Sequence, residues 1–197
     1  MCVILVGSVK AIRSLDLKSA WRDNPHGAGI AYVDRKRVSV KSGLMLASDL
    51  DRALASLTRF NGTIALHLRY ATHGGRSRKN CHPFPVGTSG HYLMHNGVLE
   101  NFGVSGDRGI SDSMDLANTL GKIPKASDRQ RILDNLNGMY AYIQPSGISL
   151  HGSRSWCDLE GDSTAGDSGR VYASNLGFTI QSRDYRVFEQ GDLWNSM

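Results

Sequence analysis

The chain begins MCVILVGS, and the run VILV at residues 3–6 is apolar and rich in β-branched side chains. Such a run reads as a buried strand, so the chain enters the core of its fold within a few residues of its start. Cys2 leads this strand, directly after Met1. As a small hydrophobe, a cysteine there is ordinary core. As a nucleophile it has a particular advantage, because removal of one residue would give it a free α-amine. With a pKa of about 7.7–8.0, that amine is partly unprotonated at neutral pH and can take the thiol proton.

The next segments alternate in character. GAGIAYV (27–33) and RVSVKSG (37–43) read as strands, with a hairpin turn in DRKRVSVK at 34–41. SDLDRALASLTRF (48–60) reads as a helix capped by Ser48, with Asp49 and Asp51 in its first turn and Leu50, Ala53, Leu54 and Leu57 on one face. TIALHLRYAT (63–72) is a buried strand, and HYLMHNG (91–97) is another that ends in a turn dipeptide. Helices are predicted over 111–122 and 127–137, the second with Ile132, Leu133 and Leu136 on its apolar side. GMYAYIQ and GISLHG form a hairpin around Pro145-Ser146-Gly147, and residues 158–169 read as a long exposed loop. RVYASN, FTIQS and YRVFEQ are closing strands. Strands at both ends with helices between them predict a layered α+β domain.

At 197 residues the chain reads as one domain, 1–197, able to bury a core without staples. Its three cysteines, with no signal peptide ahead of them, argue against a disulfide framework. There is no C-x-x-C pair, and Cys81-His82 has no matching second pair, so neither a metal nor another cofactor is expected. The net charge is +5, but the basic residues are scattered. The densest run, GGRSRKN at 74–80, lacks interleaved aromatics, so it reads as solvated surface and nucleic acid is not an expected partner. No apolar stretch approaches the roughly 20 residues that span a bilayer. A soluble, cytoplasmic protein is expected, with no membrane partner.

Four segments carry chemistry: Cys2, HLRYATHG (67–74), HNG (95–97) and SDS (111–113). A thiolate that attacks an amide needs an oxyanion hole. Asn96 can offer a side-chain N–H and Gly97 a backbone N–H, each such donor contributing roughly 2.7–4 kcal/mol in the transition state. The plain alternative is a hairpin turn. Arg69 sits in an apolar strand, where a guanidinium needs an anionic partner, either an internal carboxylate or a substrate carboxylate held by two parallel hydrogen bonds. Asp112 heads a predicted helix, where acids are favoured in any case. It is also placed to receive an ammonium group. Arg69 and Asp112 together would hold the two charged ends of an α-amino acid.

From Cys2 to about Gly121, and more weakly beyond, the chain resembles the class II glutamine amidotransferase domains of the N-terminal nucleophile hydrolase superfamily. The resemblance rests on Cys2, NPHGAGIAY, LRYATHG, NCHPFP, LMHNGVLENF and SDSMDL, in that order. It implies a four-layer αββα sandwich and hydrolysis of the glutamine side-chain amide. It also implies that Cys2 is the nucleophile and that Asn96 and Gly97 form the oxyanion hole. Arg69, helped by Thr72 and His73, would bind the α-carboxylate, and Asp112 the α-amino group. His95 would orient the turn rather than act as a base, and Cys81 would be structural.

Two departures stand out. Family members commonly have Gly after the nucleophile, where this chain has Val3. No synthase segment follows the resemblance, so either an ammonia acceptor is expected in a separate synthetase or the protein is a simple glutaminase-type amidohydrolase. Two other readings stay open: an N-terminal-cysteine hydrolase of another γ-glutamyl amide, and a catalytically silent binding protein on the same fold.

Overall fold

The computed structural model describes residues 1–100, 102, 109–161, 168–176 and, as backbone, 185–188. Its strands are β1 (Val3–Ser8), β2 (Ala28–Asp34), β3 (Arg37–Leu44), β4 (Thr63–Leu68), β5 (Phe84–Val86), β6 (His91–Asn96), β7 (Met139–Gln144), β8 (Gly147–Gly152), β9 (Trp156–Glu160), β10 (Arg170–Ala173) and β11 (Tyr185–Phe188). They form two antiparallel sheets, ordered β11-β9-β10-β1-β4-β2-β3 and β5-β6-β7-β8. The helices are α1 (Val9–Arg13), α2 (Leu17–Asp23), α3 (Ala47–Ala55), α4 (Asp112–Gly121) and α5 (Ala126–Asn135).

Strand alternation sorts the side chains into three apolar layers. On β1, Val3 and Leu5 pack with Ile12 of α1, Ala20 of α2 and Leu50 and Leu54 of α3. Ile4 and Val6 point the other way, into a layer with Met94 of β6 and Met139, Ala141 and Ile143 of β7. On β7, Tyr140 and Tyr142 face outward with Leu93, against Leu116, Ala117 and Leu120 of α4 and Leu133 of α5. The order is helices, sheet, sheet, helices, the αββα sandwich that the resemblance implies. Strand β1 is buried on both faces, and each large aliphatic side chain it buries contributes about 1.5–3 kcal/mol.

The structure corrects several sequence expectations. Helices α1 and α2 were not expected, being only five and seven residues long and too short to show a 3.6-residue period. Each carries its own cap: Ser8 Oγ accepts from Ala11 N–H at 3.1 Å, and Asp16 Oδ1 from Ser19 N–H at 3.0 Å. Helix α3 starts at Ala47 with Leu46, not Ser48, at the cap position, and Asp49 takes the Leu46 N–H at 3.2 Å. It ends at Ala55, and Leu57 is buried beyond it. Ile132 is 37 % exposed, because the buried stripe of α5 runs through Arg129 and Leu133, four residues apart. Phe84–Val86 is a strand, and β9 takes the first residues of the loop expected at 158–169. Buried Asp158, 3.8 Å from Arg170, interrupts the apolar pattern there. Residues 162–167 of that loop, and the FTIQS strand, lie outside the described residues.

Polar links dock α5 on the second sheet. Buried His151 meets Asp134 Oδ1 through Nδ1 at 2.7 Å and Ser149 Oγ through Nε2 at 2.8 Å, while Gln130 Nε2 donates to the same hydroxyl at 3.3 Å. None of the described helices is long and apolar enough to cross a membrane.

Candidate active site

Cys2 precedes β1 and shares the parity of Ile4 and Val6, so its side chain lies on the side of the sheet that faces the second sheet. Val3 points to the opposite, helix-covered side, so the departure from glycine there does not crowd the thiol. The sulfur is half-buried and pairs with the backbone of Tyr70, donating to its carbonyl at 3.4 Å and accepting its N–H at 3.3 Å. Burial pushes the thiol pKa up. The Tyr70 hydrogen bond and the Arg69 charge pull it down, and Asp112 pushes it up slightly. Asn175 Nδ2 donates to the Cys2 carbonyl. All three cysteines are free, and Cys81 is buried against Met45 and the Ser77 carbonyl.

Arg69 follows the last residue of β4 and is pinned to the chain before β2: its N–H donates to Gly27 O at 2.8 Å, and its carbonyl accepts from His26 N–H at 3.0 Å. The side chain is buried and already engaged. Nη1 donates to Gly75 O at 3.1 Å, and Nη2 to His73 O at 2.9 Å and Gly74 O at 3.2 Å. The guanidinium therefore moulds the 73–75 loop and, among the described residues, has Nε–H and one Nη1–H left for an anion. Gly74 serves this loop at φ +68°, a region that disfavours a Cβ. Thr72 and His73 lie exposed on the loop, and His73 meets Arg69 through its carbonyl, not its ring. His26 supports the loop from the other side, its Nδ1 accepting from Ala71 N–H at 2.8 Å.

Asn96 ends β6 and shares the parity of Tyr92 and Met94, so it too faces the space between the sheets. Asn96-Gly97 is not a hairpin turn. Strand β6 pairs with β5, which precedes it, and with β7, which arrives only after α4 and α5. Gly97 is required by space: a Cβ there would stand 2.7 Å from His95 Nε2 and 3.1 Å from Gly138 Cα. The His95 ring is buried and stacks on Tyr140 at 4.8 Å and 13°. Its Nδ1 meets Ser113 Oγ at 2.9 Å, and its carbonyl accepts from His67 Nε2 at 3.0 Å. Burial drops its pKa to about 4 against a raising pull from Asp112, so the ring is neutral at pH 7 and braces the turn.

Asp112 opens α4 behind its cap, Ser111. Its Oδ2 accepts from Leu99 N–H at 3.1 Å, and its Oδ1 from Ser113 N–H at 2.8 Å and Oγ–H at 3.2 Å. The buried carboxylate thus orders the chain just beyond Asn96-Gly97. It also lies within electrostatic reach of both Cys2 and Arg69. The structure therefore brings Cys2, Arg69, Asn96, Gly97 and Asp112 to one end of the sandwich, with Thr72 and His73 at the exposed margin.

Sequence reasoning missed Ser174. Its Oγ lies 2.9 Å from Ile4 N and 2.9 Å from Asn96 Nδ2. It links β1, the strand that Cys2 precedes, to the asparagine across the two sheets, and nothing local in RVYASN signals this. His26 and Asn80 do lie in quoted motifs. Asn80 Nδ2 donates to Gly75 O at 3.1 Å and Gly109 O at 3.0 Å.

The chain matches no family model. Over 80 residues it is 36% identical to the isomerizing glutamine–fructose-6-phosphate aminotransferase of Mycobacterium tuberculosis, a match that takes in 39% of this chain and 13% of that protein. The same enzyme of Geobacillus kaustophilus is 38% identical over 76 residues, 38% of this chain and 12% of that protein. The matched segment thus spans about an eighth of these relatives' length. Among solved structures, the glutamine phosphoribosylpyrophosphate (PRPP) amidotransferase of B. subtilis, complexed with ADP and GMP, shares the fold with a TM-score of 0.58 at 22% identity, covering 97% of this chain and 46% of that one. An allosteric regulatory enzyme of purine biosynthesis does so at 0.56 and 21%, with the same coverage.

Proposed function

We propose that this chain, related in sequence and fold to the class II glutamine amidotransferases of the N-terminal nucleophile type, hydrolyses the side-chain amide of glutamine to glutamate and ammonia. The nucleophile is Cys2, freed by removal of Met1. Its α-amine takes the thiol proton. The thiolate attacks the amide carbon, and the oxyanion that forms is met by the Asn96 side chain and the Gly97 N–H. Ammonia leaves with a proton returned from the amine. Water then cleaves the γ-glutamyl thioester, releasing glutamate and restoring the thiol. Arg69 and Asp112 hold the carboxylate and ammonium ends of the substrate, with Thr72 and His73 lining the entry.

The observation that carries the reading is the convergence of a cysteine at residue 2 with Asn96, linked through Ser174 and the Ile4 N–H, inside the electrostatic reach of a buried Arg–Asp pair. The relatives' names join glutamine to fructose 6-phosphate and to PRPP. For this chain the ammonia is either passed to an acceptor or released, as by a simple glutaminase.

The test is glutamate release from glutamine by protein whose intact mass shows the loss of Met1, beside Cys2→Ala. Turnover should fall by about 10⁴-fold or more in the variant. Turnover that survives in Cys2→Ala removes Cys2 from the mechanism. Release from other γ-glutamyl amides, with glutamine inert, would move the substrate and keep the chemistry.

A further inference from the structure

Ser174 follows the last residue of β10, just past the register pair Leu5↔Ala173. Its backbone N–H donates to Ile4 O at 3.0 Å, and its hydroxyl oxygen takes the Ile4 N–H at 2.9 Å. The hydroxyl therefore stands in for a main-chain acceptor two residues from Cys2. The same oxygen lies 2.9 Å from the Asn96 side-chain amide, which comes from the other sheet. Ser174 is 6 % exposed and Asn96 is 6 % exposed, so water has little access to this junction.

An asparagine amide has nearly the same shape in its two orientations, and hydrogen bonds alone decide between them. With Nδ2 turned toward Ser174, the hydroxyl accepts two N–H groups. Asn96 Oδ1 is then buried without a partner among the described residues. With Oδ1 turned toward Ser174, the hydroxyl accepts from Ile4 and donates its own proton to the amide oxygen. The Ile4 N–H, the hydroxyl and the amide oxygen are then all paired, and Nδ2, now at the buried position that Oδ1 held, has both its protons free of Ser174. The second arrangement exchanges a buried orphan acceptor for a donor whose protons wait for an acceptor, which an oxyanion formed at Cys2 would supply.

We infer that Ser174 is a positioning residue: its hydroxyl holds the Asn96 amide oxygen and thereby aims the amide N–H at the oxygen that develops charge when Cys2 attacks. The inference rests on the glutamine-hydrolysis reading for its consequence in turnover. The geometry of the junction stands apart from that reading.

Two readouts test it. In the first, Ser174→Ala should lower kcat for glutamine by about 10- to 100-fold, with KM changed by less than about threefold, because an oxyanion donor acts on the transition state. Ser174→Thr, which keeps the hydroxyl, should restore most of kcat. In an Asn96→Ala background, Ser174→Ala should add less than about a twofold loss. Equal losses in both backgrounds, or an unchanged kcat in the single variant, overturn the inference. In the second readout, the side-chain amide resonances of Asn96 are followed in ¹⁵N-labelled protein, which needs no turnover. Ser174→Ala should shift them and speed their exchange with solvent, and Ser174→Thr should not. Unmoved resonances overturn the positioning role even in an active enzyme. Shifted resonances in a protein that does not hydrolyse glutamine support the positioning role and discard the activity reading.

Discussion

Three histidines, His67, His82 and His95, are buried where the two sheets meet the site, and they make the fold sensitive to acid. His67 and His82 stack at 3.9 Å, and His67 also bonds the His95 carbonyl. Burial drops the pKa of His67 to about 3, that of His95 to about 4, and that of His82 well below its ordinary value. In the unfolded chain each ring titrates near 6.5. Between those limits the unfolded state binds more protons than the folded one. Stability is therefore full above about pH 6.5 and is lost progressively as pH falls toward the folded values. From about pH 7.5 to about pH 5.5, each ring that stays neutral when folded contributes a loss on the order of 1 kcal/mol, and the three together a few kcal/mol. That is a large part of a typical stability of about 5–15 kcal/mol. His26 and His91, with smaller downward shifts, add in the same direction, whereas the depressed carboxyls of Asp16 and Asp49 titrate below this window. Urea unfolding, followed through buried Trp156, should show the drop. His82→Phe gives the sharper comparison, because neither His82 ring nitrogen has a partner among the described residues and a phenyl ring can keep the stacking. The variant should lose about a third of the pH dependence and gain stability mainly on the acid side. Equal pH dependence in variant and wild type would refute the assignment of a buried neutral ring at 82.

Two further substitutions probe the frame around the site. Gly29→Ala should destabilise by about 3 kcal/mol or more, seen as a lowered thermal midpoint, because the new Cβ would sit 1.8 Å from the His82 carbonyl oxygen and 3.2 Å from that of Lys41, both rigid backbone. Arg69→Lys should raise KM for glutamine by about tenfold and hasten proteolysis at 73–75, since an ammonium keeps the charge but cannot span the three carbonyls that the guanidinium holds. A Lys variant with an unchanged KM and loop would show that the fork geometry is dispensable.

The sequence was most readable where a strand is buried on both faces. VILV and TIALHL declare themselves as continuous apolar runs because β1 and β4 sit in the middle of a covered sheet. It was least readable where a partner is distant. The Asn96-Gly97 dipeptide looked like a hairpin because hairpins dominate such pairs, yet the next strand paired with β6 begins only at Met139. Arg69 looked like an unpaired cation because carbonyls, its actual partners, carry no sequence signal. Ile132 looked apolar and inward because three apolar residues, two of them adjacent, do not fix which way a helix is turned, whereas Arg129, a charged residue that the eye discards, marks the buried side. Ser174 meets residue 4 across a separation of 170 residues, and no local pattern records that.

The position of the candidate nucleophile follows from the direction of its neighbours. Strand β1 lies between β4 and β10, and both run antiparallel to it. Its first residues must therefore face the last residues of both neighbours. The register makes this concrete: Val3 pairs with Leu68 and Leu5 with Ala173, so Arg69 and Tyr70 arrive on one side of Cys2, and Ser174 and Asn175 on the other. In the second sheet, β6 ends at Asn96 over the same end of the sandwich, joined to β1 through Ser174. The site is thus assembled from strand ends, whose backbone groups have left the ladder and are available to sulfur, carbonyl and amide partners. A side chain one step further along β1 would point to the helices, as Val3 does, and one two steps along would be sealed in the core, as Ile4 is. Residue 2, just ahead of this strand, combines a side chain between the sheets with a place outside the ladder, and it is there that the chain carries cysteine.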